Sequence, residues 1–136
     1  MNSESVSLGY VILYVRDVLT SMSFYEKAFG LSRRFFHDEN GNGYGELETG
    51  AVRLSFASVQ MAKEHVDQEV ITASPTNAPL GFEIAFVASD VQSLFRRVLE
   101  CGATAVREPA VKPWGQTVAY LRDPDGYLVE LCTPLP

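Results

Sequence analysis

At 136 residues, with 46% apolar side chains and a mean hydropathy near zero, the chain has the size and balance of one soluble globular domain over residues 1–136. A net charge of −6 and a pI near 4.8 argue against nucleic acid, because phosphates are neutralised by clustered Lys and Arg and no such cluster is present. Cys101 and Cys132 form no Cys-x-x-Cys pair, the N-terminus lacks a signal-peptide pattern, and no apolar run approaches the ~18 residues of a membrane span. A cytoplasmic protein without membrane contact is expected.

In chain order, residues 8–15 are β-branched, aromatic and apolar and predict a strand. Asp17 then caps a helix whose Val18, Met22, Tyr25 and Phe29 share a face before Gly30 stops it. Residues 31–37, 43–49 and 51–58 read as three further strands separated by turn signals at 38–43 and at Thr49-Gly50. Residues 59–80 are polar, end in a proline-containing breaker, and suit an exposed connector. Residues 82–88 form the next strand. Asp90 caps a helix with Val91, Leu94, Phe95 and Val98 on one face, and Gly102 ends it. Short strands near 104–108, 116–121 and 127–132 follow, the last two joined by a tight turn at Asp123-Pro124-Asp125-Gly126.

The two halves say nearly the same thing. Gly9 to Val18 reappears as Phe82 to Val91 with the Asp-Val pairs in register, and Val52 to Ser55 lines up with Val129 to Cys132. A repeat present only twice implies paired modules, 8–58 and 81–134 around the 59–80 connector, and not a solenoid. The fold class read from this order is α+β with tandem βαβββ modules, and function is expected where the halves meet.

Asp17-Val18, Phe24-Tyr25 and Gly30-Leu31 in the first half, with Asp123-Pro124-Asp125-Gly126-Tyr127-Leu128-Val129-Glu130-Leu131 in the second, resemble the vicinal oxygen chelate superfamily, which includes glyoxalase I, bleomycin-resistance proteins and extradiol dioxygenases. The resemblance covers nearly the whole chain. It implies curved mixed sheets enclosing a cup-shaped site. That scaffold carries metalloenzymes and metal-free drug-binding proteins alike, so the chemistry must be read from the site.

Strand alternation sends Val11, Leu13 and Val15 to the core and Tyr10, Ile12 and Tyr14 to the opposite face. It likewise sends Val52, Leu54 and Phe56 inward against Arg53 and Ser55. In the second module Glu83 and Ala85 oppose Ile84 and Phe86, and Leu128, Glu130 and Cys132 oppose Val129 and Leu131. The resemblance makes Tyr10, Arg53, Glu83 and Glu130 the polar floor of the cup. In the metalloenzyme branch the matching positions supply His or Gln and Glu around a divalent ion, and only Glu130 fits that pattern outright. A phenol is a poor ligand for such an ion, and the Arg53 guanidinium has no acceptor and repels it. With His37 and His65 both placed outside the floor, no facial triad is available either. No metal is expected; if zinc, nickel, manganese or iron binds, Glu83 and Glu130 are its ligands.

Two functions follow. One is a small-molecule-binding protein of the bleomycin-resistance type, in which Arg53 takes a polar or anionic group by bidentate hydrogen bonds and Tyr10 and Tyr14 donate hydroxyls. In its bland form the same cluster is an internal salt bridge. The other is a glyoxalase-like lyase or isomerase, of the lactoylglutathione-lyase type, with Glu83 or Glu130 as catalytic base. Trp114 either lids the cup as a ligand-binding residue or packs on its own module, and Phe35, Phe36 and Tyr44 reach the rim. Cys132 reads as a small buried residue, since no histidine lies near it in sequence. Gly41, Gly43 and Gly45 mimic a phosphate loop but precede no helix. The resemblance further implies a homodimer with cups built across the two chains.

Overall fold

Alternating side chains carry residues through β1 (Tyr10–Val15), where Leu13 and Val15 are buried and Tyr10 and Ile12 are exposed on the other face. The computed structural model describes residues 4–136. After β1 come α1 (Val18–Phe29), β2 (Ser32–Glu39), β3 (Asn42–Glu48), β4 (Arg53–Ser58) and α2 (Val59–Val66). They are followed by β5 (Ile84–Val87), α3 (Val91–Glu100), β6 (Thr104–Val111), β7 (Thr117–Arg122) and β8 (Leu128–Cys132). The class is α+β, and the described residues divide into two compact units: one holds residues up to 22 with 31–70, the other 23–30 with 71–136.

The first unit contains a four-stranded mixed sheet ordered β1-β4-β3-β2, with β1 and β4 parallel and the remaining pairs antiparallel. Parallel pairing of the first and last strands requires a crossover, and α1 opens it. Asp17 caps α1 by accepting the Thr20 N–H at 3.0 Å, as its position before the apolar run predicts. Val18 and Met22 then press on β3. A Cβ on Gly43 would lie 3.2 Å from Val18, and one on Gly45 would collide with the Met22 sulfur. Gly45 is therefore a close-approach position, and the resemblance of this stretch to a phosphate loop is incidental. Phe56, Leu47 and Leu13 complete this core, each burial stabilising by roughly 2 kcal/mol.

The second unit repeats the order as β5-β8-β7-β6, again with the first and last strands parallel. Asp90 caps α3 by accepting Ser93 N–H at 3.0 Å. Tyr25 and Phe29, from the second half of α1, belong to this unit's core. Phe29 stacks on Phe86 with ring centroids 4.1 Å apart, and Tyr25 stacks on Phe29 at 5.7 Å. The Tyr25 hydroxyl donates to Asp123 Oδ2 at 2.6 Å. Arg97 of α3 forks onto the Lys27 carbonyl at 2.8 and 3.2 Å, satisfying an acceptor that the last turn of α1 leaves open. The Asp123–Gly126 turn forms as its sequence demands, with Gly126 at φ +101° and its N–H on the Asp123 carbonyl at 2.9 Å.

Three expectations need correction. Residues 59–66 are helical: Ser58 accepts the Met61 N–H at 3.1 Å, and Asp67, in the left-handed region, closes the end by donating to the Lys63 carbonyl. Val52 does not face the core; it lies in the exposed turn before β4. Strand β6 runs to Val111, past Pro109, because it is an edge strand and the proline falls where its register shifts.

Candidate functional site

In the second unit, the face of the sheet opposite Ile84, Phe86, Val129 and Leu131 carries a polar cluster centred on Glu130. Ala85 lies beside it on β5 and Tyr120 beside it on β7, while Cys132 follows two residues along β8. Glu83 precedes Ala85 by two residues and shares the face. The Glu83 and Glu130 carboxyls are hydrogen bonded to each other. That bond, then burial, then the charge of Glu130 push the Glu83 carboxyl up to about 7. Glu83 thus exchanges its proton near neutrality, beside Glu130. Burial, followed by the charges of Glu130 and Glu83, raises the Tyr120 phenol. Burial and a hydrogen bond to Glu130 raise the Cys132 thiol. Both stay protonated donors, which agrees with Cys132 being an unreactive buried residue.

In the first unit the corresponding face holds Tyr10, Ile12 and Tyr14 on β1 in register with Arg53, Ser55 and Ala57 on β4, and Glu46 beside Ser55 on β3. Arg53 is engaged within this unit. Its Nε donates to the Gly50 carbonyl at 2.9 Å, and its Nη2 lies 3.7 Å from Glu48. A chain of alternating charge continues from there: Arg34 bonds Glu48 at 3.2 Å and lies 3.4 Å from the buried Glu46. Glu46 in turn accepts the Tyr44 hydroxyl at 2.9 Å. Alternation alone did not reveal Arg34, Glu46 or Glu48, because a bulge between Arg33 and Phe35 re-aims Arg34. The same register sets His37 beside Tyr44, with Phe35 5.2 Å from the His37 ring and 5.8 Å from the Tyr44 ring. His37 therefore shares the polar face from which the sequence excluded it.

Trp114 is exposed at the β6–β7 turn, and its Nε1–H donates to Gln116 Oε1 at 2.7 Å. Its polar atom is committed to its own hairpin.

A family model described as Glyoxalase/Bleomycin resistance protein/Dioxygenase superfamily matches residues 7–131. The chain belongs to the glyoxalase/bleomycin-resistance/dioxygenase superfamily. Among similar proteins, the uncharacterized protein YraH of Bacillus subtilis is 28% identical over 127 residues, covering 93% of this chain and 97% of that protein. The virulence protein STM3117 of Salmonella typhimurium is also 28% identical over 127 residues, covering 91% and 81%. A glyoxalase-related enzyme from Fulvimarina pelagi shares the fold with a TM-score of 0.80 at 23% identity, covering 94% of this chain and 88% of that one. No helix among the described residues is long and apolar enough to cross a membrane.

Metalloenzymes of this superfamily hold a divalent ion through grouped His, Gln and Glu donors. Among the described residues no three His, Cys, Asp or Glu side chains are grouped closely enough to enclose a cation. The neighbours of the Glu83–Glu130 pair are a phenol and a thiol held protonated, neither of which is a good ligand in that state.

Proposed function

We propose that this superfamily member is a metal-independent small-molecule-binding protein, and that Glu83 and Glu130 make its principal polar contact. The observation that carries this is the Glu83 carboxyl, which meets Glu130 and is lifted to about 7. Two apposed carboxyls gain most from a ligand that supplies a cation or several hydrogen-bond donors. The Arg53 guanidinium is already met by Glu48 and by the Gly50 carbonyl, so we place the ligand's polar group on the carboxyls and not on Arg53.

Benzamidine is a suitable probe, being planar, cationic and a multiple donor. Calorimetric titration in the presence of EDTA is expected to show saturable binding that Glu83→Gln and Glu130→Gln each weaken at least tenfold. Binding that requires added zinc, nickel, manganese or iron contradicts the proposal.

The raised Glu83 carboxyl also favours a second reading, a lyase or isomerase in which Glu83 transfers a proton, since a catalytic acid or base works best when it titrates near the operating pH. A lactoylglutathione-lyase assay separates the two. Turnover abolished by Glu83→Gln supports the enzyme, and no turnover alongside EDTA-resistant binding supports the binding protein.

A further inference from the structure

Asp123 is a buried carboxylate, and among the described residues no cation is paired with it. It is 2% exposed. Its Oδ1 accepts the N–H groups of Asp125 at 3.0 Å and Tyr127 at 2.8 Å, and its Oδ2 accepts the Tyr25 hydroxyl at 2.6 Å. The groups that face it are uncharged or acidic. From α1 comes Tyr25, and from the turn come Asp125 and Tyr127, with Pro124 and Gly126 between them. Arg122, next to it in sequence, bonds the carbonyls of Gly126, Ser74 and Asn77, and Arg97 of α3 holds the Lys27 carbonyl. Segment 74–77, against which Gly126 packs, contributes no charge.

A carboxylate stripped of water and without a partner cation binds a proton readily. Oδ1 is fixed by two backbone donors, so a proton entering from solvent is taken by Oδ2. The bond to Tyr25 then reverses, with Asp123 donating and the phenol oxygen accepting. We propose that the Tyr25–Asp123 contact is a proton-sensitive latch, which holds the second half of α1, Ser23–Phe29, onto the β7–β8 turn more tightly in acid than at neutral pH. Burial is the largest cause that lifts this carboxyl to about 6, overcoming the Tyr25 hydroxyl and the backbone N–H bonds, which pull it down.

The sign follows from linkage. A folded-state value above the ordinary carboxylate range means that the latched state binds the proton more strongly than the opened state. Latching strengthens as pH falls through about 6 and levels off near the ordinary value of about 4. Between about pH 7 and about pH 5 the closing equilibrium gains roughly tenfold.

The test is amide hydrogen exchange on the full chain, with rates converted to protection factors so that intrinsic pH dependence cancels. Protection at residues 23–29 and 123–127 is expected to rise about tenfold from about pH 7 to about pH 5, while amides of β3 change little. In Asp123→Asn the rise disappears. A flat profile in the native chain, a uniform rise over all elements, or the same rise in Asp123→Asn overturns the latch. Should Asp123→Asn fail to fold, the Asp123 carboxyl carbon followed by NMR in the native chain decides. A midpoint near 6 supports the latch, and one in the ordinary carboxylate range overturns it.

Discussion

Glu83 and Glu130 meet carboxyl to carboxyl although one precedes β5 and the other lies within β8, because parallel pairing sets Ala85 beside Glu130. A cationic ligand competes with the Glu83 proton. Affinity for benzamidine is therefore expected to be highest above pH 7 and to fall as pH drops through about 7, approaching tenfold per unit on the acid side. Calorimetry across that range checks it, and an affinity independent of pH counts against the carboxyl pair as the contact.

Arg53→Met removes a guanidinium whose partners lie in its own turn and on Glu48, a half-exposed pair of the kind that contributes about 1 kcal/mol or less. Benzamidine affinity should stay within about twofold of the native chain, with a small loss of stability by denaturant titration. Abolished binding would return Arg53 to the centre of the site.

Gly126 combines a positive φ of +101° with a backbone neighbour: an added Cβ would come within 2.7 Å of Pro75 N. Neither strain is relieved by turning a side chain. Gly126→Ala is expected to cost about 2 kcal/mol or more, read as a lowered midpoint of urea unfolding with unchanged slope.

Arg122 fastens residues 74–77 with bonds to the Ser74 carbonyl at 2.8 Å and the Asn77 carbonyl at 2.6 Å, as well as to the Gly126 carbonyl. This planar fork has no equivalent in lysine. Both Arg122→Lys and Arg122→Met are expected to expose residues 71–80 to limited proteolysis several times faster than in the native chain. Rescue by lysine would show that charge alone matters.

Signals confined to a few residues were legible in the sequence. Asp17 and Asp90 capped their helices and the Asp123–Gly126 turn closed as written, because each depends on neighbours within about four residues, whereas alternation only turned Glu83 and Glu130 away from the core and the β5–β8 pairing brought them together. The second helix escaped notice because Val59–Val66 is short and polar and buries only Ala62, although Ser58 stood ready as its cap. Tyr120 was missed because its place beside Glu130 depends on the β7–β8 register. His37 was misplaced and Arg34 missed because a bulge in β2 shifts which side chains share a face. The engagement of Arg53 with Glu48 likewise depends on how the turn at Gly50 folds back, which alternation does not encode.

The most direct measurement is native mass spectrometry of the purified chain, with and without prior EDTA, in the native sequence and in Glu83→Gln. The expected result is a chain free of stoichiometric metal that retains benzamidine after EDTA treatment, with retention lost in Glu83→Gln. One divalent ion per chain that disappears in Glu83→Gln, together with benzamidine binding only when that ion is present, would contradict metal-independent binding.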